Sequence, residues 1–189
     1  MRVYFVRHGE SQANLEKLWT GWWDVPLTDR GRAEAAAIRP IFSGVSFDQI
    51  YSSDLSRAIE TAKTAIPDCE PEVMTILREV NVGDLVGKPI VTNTDDASYI
   101  NTQNGYAEFG GESRTEFRKR VLEFLHFLEQ ADAQTVAVFS HAGFLRVVFN
   151  HVLECEATGK MLHLFNCCVL ILDYNGTNWA LHGVINQNG

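Results

Sequence analysis

The chain has 189 residues and 21.2 kDa, with 46% hydrophobic and 21% charged residues. That size and balance fit one globular domain over residues 1–189 with a sizeable core, and exclude a disordered or fibrous chain. A formal charge of −8 and a pI near 5.2 do not draw nucleic acid or anionic lipid by long-range attraction, so neither is an expected partner. An anionic ligand would have to be held by a local cluster of Arg and His. Cys69, Cys155, Cys167 and Cys168 include no Cys-x-x-Cys spacing and read as reduced packing residues of a cytoplasmic protein. Adjacent Cys167 and Cys168 are expected on opposite faces of a strand.

The apolar run Met1–Val6 fits a buried strand, stops at Arg7-His8-Gly9-Glu10, and is too short for a signal peptide. Thr28 is placed to cap a helix through about Phe42, ended or kinked at Pro40. A second short strand is expected at Phe47–Tyr51. Asp54 then caps a helix over Leu55–Ala65 that stops before Pro67. Glu70–Val82 reads as extended or irregular, and Gly83–Gly111 as loop, rich in Gly, Asn and Asp.

Ser113 and Glu116 form a capping-box pattern ahead of a helix to about Gln130, with Phe117, Val121, Leu125 and Leu128 facing the core. Thr135–Phe139 is an apolar strand ending at Ser140-His141-Ala142-Gly143, followed by a helix over Phe144–Leu153. The apolar region Val136–Leu153 is broken by His141, Arg146 and His151, so no membrane span is expected. Val169–Asp173 and Trp179–His182 flank Asn175-Gly176, a hairpin signal. The alternation of strands and helices predicts an α/β fold: a three-layer α/β/α sandwich around a mostly parallel sheet with an antiparallel C-terminal element.

Two places share one design, an apolar strand followed at once by a His and a Gly-containing turn: Val6-Arg7-His8-Gly9 and Phe139-Ser140-His141-Ala142-Gly143. Ligands of open α/β sheets bind beyond the carboxyl ends of the strands, so both histidines are candidates for one crevice. A third strand end, Tyr51-Ser52-Ser53-Asp54, leads into a helix whose first turn carries Arg57. Its N-terminus adds free backbone N–H groups and its Arg a bidentate fork. Arg7, His8, Arg57 and His141 together make an anion pocket suited to phosphate. His8-Gly9-Glu10 and His141 also offer metal-ligand types, but two adjacent arginines would repel a divalent cation, and no metal or other cofactor is expected.

At these residues the chain resembles the histidine phosphatase superfamily, in its phosphoglycerate mutase-like branch. The likeness starts at Arg7-His8-Gly9-Glu10 with Asn14, and runs through Gly21-Trp22, Asp24, Pro26-Leu27-Thr28 and Gly31. It continues at Tyr51-Ser52-Ser53-Asp54-Leu55 with Arg57-Ala58 and Thr61-Ala62, then at Leu77-Arg78-Glu79 with Gly83. Gly110-Gly111-Glu112-Ser113 and Ser140-His141-Ala142-Gly143 complete it. It spans nearly the whole chain and is weakest over Pro89–Phe109.

The resemblance implies that His8 is the nucleophile that becomes phosphohistidine. It implies that Arg7, Arg57 and His141 hold the phosphoryl oxygens and that Glu79 gives and takes the proton. Asn14 then contacts the phosphate or orients the pocket, Thr20 and Gly21 lie over it, and the Ala142 N–H is a further donor. These roles are chemically coherent. Phosphoryl transfer spreads charge over three oxygens, so positioning and fixed positive charge carry it. A neutral imidazole attacks near pH 7 if its other nitrogen is held as a donor, as by a carbonyl at the Gly9 turn. One carboxyl serves both steps, as acid and then as base.

Each role has a plainer rival. Glu79 beside Arg78 could form a surface ion pair, and Thr20 could merely shape a loop. Glu10 is expected to brace the arginines rather than catalyse. Trp19, Trp22 and Trp23 are read as packing rather than as a substrate mouth, and His126, His151, His163 and His182 as inert. After Glu79 the chain is more aliphatic (Val82-Gly83-Asp84-Leu85-Val86-Gly87) than the family often is. Its covering segment from Pro89 to Phe109 is also brief. A mutase must keep water from its phosphohistidine, so a short cover favours hydrolysis. The expected activity is therefore hydrolysis of a small phosphate monoester, such as a sugar phosphate or phosphoglycerate, by a monomer or homodimer. A mutase and a catalytically silent phosphate-binding module stay open as alternatives. Specificity is expected from Trp22–Asp24 and the loop around Asn93–Tyr106.

Overall fold

In the computed structural model, which describes residues 1–90, 104–157 and 162–186, β1 (Arg2–Arg7) lies inside a six-stranded sheet because both its faces are apolar. Val3 and Phe5 enter one core, Tyr4 and Val6 the other, and all four are buried. A strand covered on both sides reads as an unbroken apolar run. Parallel to β1 lies β4 (Thr135–Ser140), in register from Arg2 with Thr135 to Arg7 with Ser140. Next come β2 (Gln49–Ser52) and the two-residue β3 (Glu72–Val73), also parallel. On the other side β5 (Val169–Tyr174) and β6 (Trp179–Ile185) form an antiparallel hairpin. The order β3-β2-β4-β1-β5-β6 is the expected mostly parallel sheet with an antiparallel end.

Helices close both faces and make three layers. On one side α5 (Arg114–Glu129) and α6 (Ala142–Val152) bury Phe117, Val121, Phe124, Leu128, Phe144 and Val148 against Val3, Phe5, Val136 and Val138. On the other, α2 (Asp29–Ala37), α3 (Arg39–Phe42) and α4 (Ser56–Ala65) pack Ala35, Phe42, Ala62 and Ala65 on Tyr4, Val6 and Phe139. Alternating residues of each strand feed the two cores, as the period-2 pleat requires.

The caps follow the sequence in part. Ser113 and Glu116 make both bonds of a capping box, and the Thr28 hydroxyl accepts from the Gly31 N–H at 3.0 Å. The helix after Thr28 ends at Ile38, and Pro40 lies in the first turn of the separate α3, where its missing N–H costs nothing. Asp54 does not cap α4. Leu55 occupies that position, while both Asp54 oxygens accept from Arg78 at 2.8 and 2.5 Å; a bidentate charged fork outweighs one backbone donor. The Ser56 N–H instead donates to Asp24 at 2.8 Å. A short helix, α1 (Gln12–Leu15), forms where none was expected, behind a Ser11–Asn14 capping box.

Glu70–Val82 contains β3 and a 3₁₀ turn at Thr75–Leu77, α6 starts two residues earlier than expected, and β6 runs past His182 to Ile185. Cys167 and Cys168 precede β5 but still bury in opposite layers as free thiols. Among the described residues no helix is long and apolar enough to cross a membrane. Most of the covering segment expected over Pro89–Phe109, residues 91–103, lies outside the described residues.

The turn after β1 rests directly on α2. A Cβ at Gly9 would stand 2.4 Å from the Gly31 carbonyl oxygen, and one at Gly31 would stand 2.1 Å from that of Glu10. Both obstacles are backbone and cannot rotate aside. Gly31→Ala is expected to cost about 3 kcal/mol or more, read as a lower urea midpoint; a loss under about 0.5 kcal/mol, the range of ordinary surface changes, would contradict this packing.

Candidate active site

Three neighbouring parallel strands, β2, β4 and β1, end at one edge in register, Arg7 beside Ser140 and Ser52 beside Phe139. The ladder continues one step, with the His8 N–H donating to Ser140 O at 3.0 Å and the Ser53 N–H to Phe139 O at 2.9 Å. His8 and His141 are thereby adjacent, their ring centroids 5.1 Å apart and tilted by 62°. The two strand-end histidines meet ring to ring, and of the two only His8 lines the neighbouring cleft.

His8 Nδ1 lies 2.7 Å from the carbonyl oxygen of Gly9. A carbonyl only accepts, so Nδ1 carries the proton and Nε2 keeps its lone pair. The turn is held by the Gly9 N–H donating to Thr61 Oγ1 at 3.0 Å and by Asn166 Nδ2 donating to His8 O at 3.1 Å. Burial, then the charges of Arg57 and Arg7, hold the His8 ring well below its ordinary pKa of 6.5, against a smaller opposing pull from the Gly9 carbonyl. His141 is fully buried, with Nε2 2.9 Å from Ser53 Oγ and Nδ1 without a partner. Burial, then Arg57, His8 and Arg7, push its pKa down as well.

Arg57, in the first turn of α4, is 1% exposed, and among the described residues its hydrogen bonds go to backbone: Nη1 donates to Trp23 O at 2.9 Å and Nη2 to Gly21 O at 3.0 Å. Desolvation lowers its pKa to about 10, which leaves it charged at neutral pH. Arg7 Nη1 donates to Leu164 O at 2.6 Å. The Nε of each is buried and unpartnered. Glu10 does not brace these arginines. It accepts from Thr28 Oγ1 at 2.8 Å and lies 3.6 Å from the exposed Arg30, because carbonyl oxygens already hold the pocket guanidiniums.

A cleft of about 160 Å³ collects Arg7, His8, Asn14, Thr20, Gly21, Arg57, Glu79 and Ala142 on its wall; His141, buried against the His8 ring, is not part of that wall. Glu79 does not pair with Arg78, which is taken by Asp54. Its Oε2 accepts from the Gly143 N–H at 3.0 Å and its Oε1 from the Val80 N–H at 2.9 Å. Asn14 Oδ1 accepts from the Ser11 N–H at 3.2 Å and from Asn166 Nδ2 at 3.3 Å. The Thr20 hydroxyl turns back to Leu18 O at 3.4 Å.

Trp19 lines the cleft and meets Tyr106 edge-on. Trp22 and Trp23 are exposed rather than packed; the Trp22 indole N–H donates to Glu79 O at 2.8 Å with Arg78 over its ring. Arg146 also lines the cleft, its Nε buried and unpartnered. Sequence reading passed over it, although it follows Ala142 by one helical turn and so shares its face. His126, His151, His163 and His182 lie away from the cleft wall. Among the described residues no three His, Cys, Asp or Glu side chains cluster to hold a metal ion.

A neutral imidazole with a free Nε2, two desolvated guanidiniums and a carboxyl on one wall can transfer a group carried by a tetrahedral anion. Two buried neutral histidines also make stability pH-dependent. Both folded pKa values are depressed, so the unfolded chain binds more protons below pH 6.5, and the stability they contribute is present above that pH and lost as pH falls. In phosphate-free buffer the unfolding free energy is expected to drop by up to about 1.4 kcal/mol per pH unit for each histidine below that point. His8→Asn should roughly halve that slope; an unchanged slope would mean that the imidazole is not buried neutral.

Comparisons with known proteins bear on this cleft. The profile of the histidine phosphatase superfamily (branch 1) matches residues 3–187. A Salmonella choleraesuis protein named "Probable phosphoglycerate mutase GpmB" is 32% identical, over 97% of this chain and 89% of its own. The Escherichia coli adenosylcobalamin/alpha-ribazole phosphatase is 32% identical over 83% and 81%. The crystal structure of the alpha-ribazole phosphatase of Shigella flexneri superposes with a TM-score of 0.83 at 28% identity, covering 98% of this chain and 100% of that one. With the family profile matching residues 3–187 and relatives along nearly its whole length, this chain belongs to the histidine phosphatase superfamily, branch 1.

Proposed function

We propose that the chain is a phosphatase that hydrolyses a small phosphate monoester through a phosphohistidine at His8. The observation that carries this reading is the fixed tautomer of His8, with Nδ1 tied to its neighbour's carbonyl and Nε2 left free on a ring that feels the charges of Arg57 and Arg7. Nε2 attacks phosphorus and the P–O ester bond breaks. Arg7, Arg57 and His141 take the charge on the equatorial oxygens, with the Ala142 N–H at the start of α6 as a further donor. A protonated Glu79 passes its proton to the departing alkoxide. Water then attacks the phosphohistidine, Glu79 takes a proton from it, the P–N bond breaks and phosphate leaves. Each Glu79 oxygen accepts one backbone N–H, and a carboxyl oxygen has a second lone pair for the proton.

The relatives' names divide between phosphatase and mutase; one argument favours hydrolysis over a mutase, and another favours an enzyme over a binding module. The stretch from Pro89 to Phe109, expected from the sequence to cover a leaving group, is short, and a mutase has to exclude water from its intermediate. A module that merely bound phosphate would have no use for a proton-transferring carboxyl on the cleft wall, where Glu79 stands. The substrate class is a small metabolite such as a sugar phosphate, a phosphoglycerate or a nucleoside-type phosphate like that named for the alpha-ribazole phosphatases.

Wild-type protein should turn over p-nitrophenyl phosphate with EDTA present, and His8→Ala should lose about 10³-fold or more in kcat; activity that persists in the variant overturns the nucleophile. Incubated with 3-phosphoglycerate and its bisphosphate primer, the protein should release free phosphate faster than it forms 2-phosphoglycerate. The reverse order would make it a mutase.

A further inference from the structure

Glu79 sits where no regular element can hold it. Leu77 closes a 3₁₀ turn, and Arg78 to Asn81 lie in neither helix nor strand. The segment is held instead by a side chain of α5. Arg120 Nη1 donates to Ile76 O and to Arg78 O, each at 2.8 Å, and Nη2 donates to Glu79 O at 3.1 Å. Its remaining donors grip Glu112, Nε to Oε1 at 2.8 Å and Nη2 to Oε2 at 2.7 Å. Glu112 closes the loop, accepting from the Asn81 N–H at 2.7 Å and donating its own N–H to Asn81 O at 2.9 Å. All five guanidinium donors are spent, three on carbonyls and two on an ion pair whose side chains are 16% and 15% exposed. A carboxylate bound this way leaves the fork pointing at the carbonyls of Ile76, Arg78 and Glu79.

We propose that Arg120, clamped by Glu112, is a positioning residue that sets the Glu79 carboxyl against the leaving-group oxygen; this rests on Glu79 acting as the proton donor. An ångström of misplacement costs about 10²-fold in such a transfer, and a lysine, with three donors on one nitrogen, cannot reproduce five bonds in a plane.

The readout is leaving-group dependence. 2,4-Dinitrophenolate departs without a proton, whereas the alkoxide of glycerol 1-phosphate needs one, and kcat/KM reports the steps up to ester cleavage. Arg120→Lys should lose at least about 10-fold more in kcat/KM on glycerol 1-phosphate than on 2,4-dinitrophenyl phosphate, within the span of general acid catalysis. Glu112→Gln should shift the ratio the same way by less, and Glu79→Gln by more. A general loosening of the fold would lower both esters equally, and equal losses in Arg120→Lys overturn the proposal. If Arg120→Lys does not fold, the Glu112→Gln ratio decides in its place. If Glu79→Gln itself shows no leaving-group dependence while wild type turns over both esters, the assignment of Glu79 fails, and this inference with it.

Discussion

The site depends on the guanidiniums of Arg7 and Arg57, whose hydrogen bonds among the described residues go to backbone carbonyls and not to carboxylates. Leu164 holds Arg7, while Trp23 and Gly21 hold Arg57. Carbonyl dipoles fix the direction of a guanidinium without cancelling its charge. A carboxylate in the same place would have satisfied the arginine and quenched the pocket. Burying an uncompensated cation costs stability unless its donors are met, and the unpartnered Nε atoms of Arg7 and Arg57 show where that requirement is left open. A chain with a net charge of −8 thus keeps a local cationic centre.

The state of His8 follows from the same arrangement. Its ring is desolvated and flanked by two positive charges, and each of these effects disfavours the imidazolium. The Gly9 carbonyl selects which nitrogen keeps the single proton. Charge therefore sets the protonation state and a hydrogen bond sets the tautomer, and together they leave Nε2 as a nucleophile. The packing below enforces this, because Gly9 and Gly31 bring the β1 turn against α2 with no room for a methyl group.

Much of this was legible in residue order. Apolar runs ending in His announced β1 and β4, the Ser113–Glu116 box announced α5, and Asn175-Gly176 announced the hairpin, because each is a local rule acting over a few residues. The misreadings were choices between partners. Asp54 looked like a helix cap and Glu10 like a brace for the arginines; both went to other cations, Arg78 and Arg30, that only folding brought near. Trp22 and Trp23 looked like core and lie exposed, one donating to the Glu79 carbonyl and the other offering its own carbonyl to Arg57. Arg120 carried no signal, since its partners at Ile76, Arg78 and Glu79 lie some forty residues earlier.

Residue order by itself determined the layered α/β class, the strand ends that carry His8 and His141, and the family of the chain, because hydrophobic period and contiguous motifs are properties of neighbours along the backbone. Tertiary structure alone decided which oxygen meets which guanidinium, which nitrogen of His8 stays bare, and how an irregular segment brings Glu79 to the same cleft. Those outcomes turn on distances between residues far apart in the chain, and a hydrogen bond tolerates only a few tenths of an ångström.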